Sequence, residues 1–179
     1  MIIFMGVAGS GKSKQGKLLA DTYGLPWLST GEFLRMLVSG QQRKDMLAGK
    51  LLDDQHIISL VQKMFAIVDT DNEFIIDGFP RTAAQADWLI NHAKHGQLKI
   101  NAVIHLKASQ QSVRKRLISR GRQDDNHEAL SERFHEYEET TLPILEQFKS
   151  SGIEVFDIDG EKSPEAVHTQ ITLALKGII

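Results

Sequence analysis

The chain has 179 residues, 41% of them hydrophobic and 25% charged, as expected for one globular domain with its own core and no long disordered stretch. Lys plus Arg is 21 against 23 for Asp plus Glu; this net charge of -2 argues against a general nucleic-acid or membrane-surface binder, so an anionic ligand must be met by local clusters of cations. The absence of cysteine excludes disulfides, thiol catalysis, zinc–cysteine sites and iron–sulfur clusters.

Residues 1–5 (MIIFM) form a continuous apolar run that stops at a glycine-rich stretch, the pattern of a strand buried on both faces. The run is too short for a signal peptide and has no basic leader, and no segment reaches the roughly 18 apolar residues of a membrane span. A cytoplasmic protein with no membrane partner is therefore expected. Residues 12–23 read as a helix with Leu18, Leu19 and Tyr23 on one side, and 26–29 as a second short strand. Ser29-Thr30-Gly31-Glu32 matches a capping box and opens another helix. Residues 41–47 read as a short polar helix ending near Gly49. Residues 54–68 read as a longer one, whose Ile57, Val61, Met64 and Val68 recur at spacings of 4, 3 and 4.

Residues 73–77 (EFIID) read as a buried strand, 82–94 as a helix, 101–106 (NAVIHL) as a strand, 109–119 as a basic helix and 121–126 as a polar loop. His92 and His95 stand at i, i+3 on a helix, with no further ligand pattern, and read as surface residues. The longest predicted helix covers 126–148, with Leu130, Phe134, Tyr137, Thr141, Leu145 and Phe148 as its apolar stripe and a kink at Pro143. Residues 153–158 read as the last strand. Ser163 and Pro164 then open a final helix carrying Val167, Ile171 and Leu175. Strands alternating with helices predict a single α/β domain over 1–179, a parallel sheet of about five strands with helices on both faces. Residues 30–58 read as a small helical insertion.

The strongest chemical signal is Gly6-Val7-Ala8-Gly9-Ser10-Gly11-Lys12-Ser13, which matches GxxxxGK[ST] after a strand and before a helix. Glycines let the backbone wrap a phosphate, amide N–H groups point inward, and the helix dipole adds positive potential. Lys12 would place a mobile charge on the outer phosphates, and Ser13 could offer a hydroxyl to Mg2+. A second signal is Asp77-Gly78-Phe79-Pro80-Arg81 at a strand's carboxyl end, where open parallel sheets bind ligands. Asp77 could hold Mg2+ through water, and Arg81 would point into the same crevice. A third is the placement of Arg35, Arg81, Arg116, Arg120, Arg122 and Arg133, since arginine suits bidentate phosphate contacts. In an extended chain Arg120 and Arg122 point the same way, and Gly121 would let them bend onto one phosphate cluster.

In this order, the P-loop motif, LSTGEFLR, DGFPRTAAQA, RLISRGRQDDN and ERFHEY resemble the nucleoside monophosphate kinases, adenylate kinase in particular, over almost the whole chain. The resemblance implies a P-loop NTPase-type fold in which 30–58 is the NMP-binding insertion and 120–126 a very short lid. It implies ATP held by Gly6, Ala8, Gly9, Ser10, Gly11, Lys12, Ser13 and Lys14, with Arg116, Gly160 and Lys162. AMP would be held by Thr30, Arg35, Met46, Leu52, Gly78, Arg81 and Gln85. Lys12, Arg81, Arg120, Arg122 and Arg133 would be catalytic, and Asp124 and Asp125 belong to the lid and its flank. Ser13-Lys14 stands where the family usually has Gly-Thr, Glu32 replaces an Asp, and Ala8 replaces a frequent Pro.

The implied reaction is reversible transfer of the γ-phosphoryl of MgATP to a nucleoside monophosphate by a monomer, with no nucleic-acid polymer as partner. A phosphate monoester, with a second pKa of about 6, needs no general base at neutral pH. AMP is the expected acceptor, with Gln85 offering a donor and an acceptor to the base. UMP, CMP or another small phosphate acceptor stays open, as does a nucleotide-binding protein that has lost turnover.

Overall fold

A computed structural model describes residues 1–179. Five parallel strands, β1 (Ile2–Met5), β2 (Trp27–Ser29), β3 (Ile75–Asp77), β4 (Ala102–Lys107) and β5 (Val155–Asp159), lie in the order β2-β3-β1-β4-β5. From β1 the chain runs out to the edge strand β2, returns to lay β3 between them, then crosses to the other side of β1 for β4 and β5. The carboxyl end of central β1 is thus a topological switch point, where such sheets leave a crevice.

Alternation along β1 explains how the sheet is covered. Ile3 and Met5 join a core with α4 (Asp54–Phe65), α5 (Ala83–Lys94) and α8 (Ile144–Ser150), while Ile2 and Phe4 pack on α1 (Lys12–Tyr23) and α9 (Pro164–Ala174). A smaller cluster of Val7, Val113, Leu117, Leu130 and Phe134 joins the glycine-rich loop to α6 (Gln110–Arg120) and α7 (His127–Glu136). The insertion contains α2 (Thr30–Leu37) and α3 (Gly40–Leu47) and runs into α4. Side chains of Ser29, Thr82, Ser109, Asn126 and Ser163 cap their helices. His92 and His95 each bond a carbonyl of their own helix.

Two predicted helices end differently. The helix expected over 54–68 stops at Phe65, where Ile67 N–H turns back to the Met64 carbonyl. Asp69 then holds Asp71 N–H and the Asn72 amide, a local alternative to helix bonding, while Val68 still packs on the core. The helix expected over 126–148 is broken into α7, a single π turn at Tyr137–Thr141, and α8. Pro143 has no N–H to donate, and Leu142 N–H reaches back five residues to the Tyr137 carbonyl at 2.7 Å. Leu130, Phe134, Thr141, Leu145 and Phe148 remain buried, whereas Tyr137 is half-buried.

Candidate active site

The loop after β1 folds tightly against β4. Gly6 has φ +140°, and a Cβ there would stand 2.5 Å from the Leu106 carbonyl oxygen, so only glycine fits. Ser10 is buried, and its hydroxyl has no protein partner. Lys12 opens α1 and curls over the loop, donating from Nζ to the carbonyls of Gly6 (2.6 Å) and Val7 (2.9 Å). Burial pushes its ammonium down to about 8; Asp77 opposes this, and Arg81, Arg120 and Arg133 add to it.

Asp77, at the carboxyl end of β3, is 2% exposed and accepts at Oδ2 from the Ser13 hydroxyl at 2.5 Å. Ser29 Oγ stands 3.4 Å from the same oxygen. Arg81 donates from Nε to the Gly78 carbonyl at 3.0 Å, and its own carbonyl accepts from Thr141 Oγ1 in the π turn at 2.9 Å. Burial lowers the Arg81 guanidinium pKa, and the nearby Arg133 lowers it further.

Arg116 ties the loop to the far side of the sheet, donating to the carbonyls of Ser10 (3.3 Å) and Gly160 (2.8 Å). A Cβ on Gly160 would lie 2.9 Å from the Lys107 carbonyl oxygen and 3.1 Å from that of Ser10. Lys162 is exposed at the surface, 3.9 Å from Asp159, and does not line the cleft. Arg120 grips Asp125 with Nε at 2.9 Å and Nη2 at 2.6 Å. Arg133 bonds Asp124 and lies 3.6 Å from Asp125. Burial raises the Asp124 carboxyl, but the Arg133 bond and charge more than offset this and hold it below its ordinary value.

The extended arrangement expected for Arg120 and Arg122 does not form. Gly121 takes φ +67° as the cap of α6, and Arg122 N–H turns to Asp125 Oδ2 at 3.1 Å. Arg120 therefore folds onto Asp125, while the Arg122 charge bears on Arg35 of the insertion.

These side chains line one cleft of about 390 Å³. Its wall carries Lys12, Lys14, Arg35, Lys50, Arg81, Arg116, Arg120, Arg122 and Arg133 against only Asp77 and Asp124, a strongly cationic lining in a chain of net charge -2. Ala8, Gly9, Gly11, Ser13, Met46 and Gly78 complete the predicted residues there. Gly6 lines a neighbouring cavity with Phe79, Glu136 and Tyr137. A smaller hollow joins Thr30, Met46, Leu52, Gly78, Arg81 and Gln85. Lys50, Leu34 and Ile57 also line these spaces. No spacing marks Lys50 or Leu34 in the sequence, and that of Ile57 marks only a core stripe; folding of the insertion brings them in.

Two buried polar groups adjoin the cleft. Gln85 is 2% exposed, with Oε1 accepting from Arg81 N–H and Nε2 donating to Asp54 Oδ1, each at 2.8 Å. His105 bridges Asp157 (Nδ1 to Oδ1, 2.7 Å) and the Tyr137 hydroxyl (Nε2 to Oη, 2.6 Å). Burial pushes His105 down, against the pull of Asp157, and pushes Tyr137 up to about 12.

The family model for adenylate kinase matches residues 4–153. An adenylate kinase of Leptospira biflexa is 35% identical over 95% of this chain and 96% of its own. One from Corynebacterium urealyticum is 34% identical over 97% and 98%, and one from Archaeoglobus fulgidus 31% over 99% and 98%.

Proposed function

The chain belongs to the adenylate kinase family and catalyses reversible phosphoryl transfer from ATP to AMP, and we infer that it does so in the cationic cleft above β1 and β3. An AMP phosphate oxygen attacks the γ-phosphorus. The bond to the β–γ bridging oxygen breaks, its electron pair stays on the β-phosphate, and two ADP result. AMP is already dianionic at neutral pH, so no base is needed; positioning and cancellation of charge supply the catalysis.

The observation that carries this reading is the imbalance of charge on the cleft wall. MgATP and AMP, of about −2 each, are matched by its cations, although the chain as a whole is acidic. ATP phosphates would lie on the loop of Gly6–Ser13, with Lys12, Lys14 and Arg116 around them. The backbone of Gly160 supports that side. Arg35, Arg81, Arg120, Arg122 and Arg133 would meet the transferring and accepting phosphates. The hollow of Thr30, Met46, Leu52, Gly78 and Gln85 would take the AMP base. Residues 30–58 would close over AMP, and 120–126 would act as the short lid.

The Ser13 hydroxyl and Asp77 carboxylate pair two hard oxygen donors beside Lys12. That set fits Mg2+, which takes one or two carboxylates together with phosphate oxygens and waters. Ser13 and Asp77, the latter through water, would hold it, and the ion would offset charge on the transferred phosphoryl group. The whole cation set comes from one chain, which supports a monomer, and we place it in the cytoplasm with the ATP pool. No helix is long and apolar enough to cross a membrane. A coupled assay of nucleoside diphosphate formation from ATP with AMP, UMP, CMP and GMP tests the reading. Turnover strongest with AMP is expected; equal use of all four, or none, rejects it.

A further inference from the structure

We propose that Asp54 fixes which way round the Gln85 amide meets the acceptor base, so that the site selects a 6-aminopurine over a 6-oxopurine. The proposal rests on reading the hollow around Gln85 as the acceptor pocket.

The two ends of a glutamine amide have the same shape, and only their partners decide which end is oxygen. Both partners of Gln85 are unambiguous. The Arg81 backbone N–H can only donate, and it stands 2.8 Å from Oε1. An ionised Asp54 can only accept, and its Oδ1 stands 2.8 Å from Nε2. Thr82 Oγ1 donates to the same Oδ1 at 2.8 Å, which holds the carboxylate in place. Reversing the amide would set N–H against N–H at Arg81 and oxygen against oxygen at Asp54. Such unpaired contacts are most unfavourable in a buried site, and Gln85 is 2% exposed.

Each end of the amide keeps one position free, a second N–H on Nε2 and a second lone pair on Oε1. A 6-aminopurine presents a ring nitrogen acceptor beside an amino donor. A 6-oxopurine presents a ring N–H donor beside a carbonyl acceptor, the reverse order. An amide free to rotate could pair with either base; one held at both ends pairs with only one. Arg81 and Gln85 are neighbours at the start of α5, whereas Asp54 reaches them from the first turn of α4 in the insertion. Asp54 is thus a positioning residue that acts through Gln85.

The test compares kcat/KM for AMP and for IMP, with ATP saturating. Asp54→Ala is expected to reduce the AMP-over-IMP ratio at least about tenfold, mainly through the KM for AMP, while the KM for ATP stays near its original value. Asp54→Asn keeps one acceptor oxygen and is expected to retain the ratio within about threefold. If Asp54→Ala does not fold, Asp54→Ser, with a shorter side chain at the same helix position, carries the same expectation. A folded Asp54→Ala, or Asp54→Ser in its place, whose ratio stays within about twofold of the original overturns the proposal. Gln85→Leu separates the two levels of inference. If Gln85→Leu collapses the ratio and Asp54→Ala does not, the pocket stands and the role of Asp54 falls. If Gln85→Leu also leaves the ratio intact, the pocket reading fails and the proposal falls with it.

Discussion

The hydroxyl of Ser13 donates to Oδ2 of Asp77 over 2.5 Å, joining the first turn of α1 to the end of β3 across 64 residues of sequence. Lys14, where the family usually carries threonine, is exposed on the cleft wall instead. Ser13→Ala is therefore expected to weaken MgATP binding and raise the magnesium requirement several-fold, and Lys14→Thr to change both less. Magnesium titrations followed by calorimetry decide the order, and the reverse order removes Ser13 from this role.

Lys12 predicts a proton signature. Its ammonium lies at about 8 in the folded protein against an ordinary 10.5, so in the ligand-free state it loses its proton as pH rises through about 8. Bound phosphates favour the charged form. ATP binding near pH 8 is expected to take up a proton, read as a dependence of binding enthalpy on buffer ionisation, and to weaken above that pH. For folding the sign is opposite: the fold favours neutral Lys12, so this group adds stability as pH rises from about 8 toward 10.5. Lys12→Met should lose the proton uptake and at least about a hundredfold in turnover.

Arg133 sits between Asp124 and Asp125, whose side chains are 5% and 1% exposed. Arg133→Met would leave buried carboxylates short of their cation, a loss of about 3–5 kcal/mol for a broken buried pair. Chemical denaturation measures it. Because Asp124 is held below its ordinary value of 3.8, its contribution is complete above that pH and lost as pH falls below it. The difference between the original protein and Arg133→Met should narrow in acid.

At Gly49 the insertion lies tightly against the flank of the lid. Gly49 has φ +88°, and a Cβ there would stand 2.4 Å from the Ala129 carbonyl oxygen at the start of α7. Gly49→Ala must strain its backbone or push the insertion off α7, losing about 2 kcal/mol or more. A lower melting temperature and a higher KM for AMP are the expected readouts. An unchanged KM would show that this contact does not set the acceptor pocket.

The loop over 121–126 is short for a cover, though Arg122 within it and Arg120 beside it line the cleft. Incomplete exclusion of water predicts slow acceptor-free ATP hydrolysis, measurable as phosphate release above buffer. An inhibitor joining two adenosines through a polyphosphate should protect 120–126 from amide exchange. Unchanged exchange with inhibitor bound would mean the loop is not a lid.

Features governed by near neighbours were legible in the sequence. The loop from Gly6 to Ser13, the caps at Ser29 and Ser163, and the alternation of helices and strands all arise within a few residues, where hydrogen bonds and hydrophobic period act directly. Pro143 announced a break, but not its form. One N–H was missing, and packing of Tyr137 against His105 and of Thr141 against Arg81 accompanies the π turn that resulted. The strand order, the pairing of Arg133 with Asp124 and the hold of Asp54 on Gln85 were not legible. Each joins groups brought together by the chain's path, and a carboxylate gives no local sign of which distant donor it will face. Sequence alone determined which cations were available to the cleft. The tertiary structure decided their use, turning Arg120 onto Asp125 and leaving Arg122 beside Arg35, because the left-handed turn at Gly121 separates two side chains that an extended chain would have kept together.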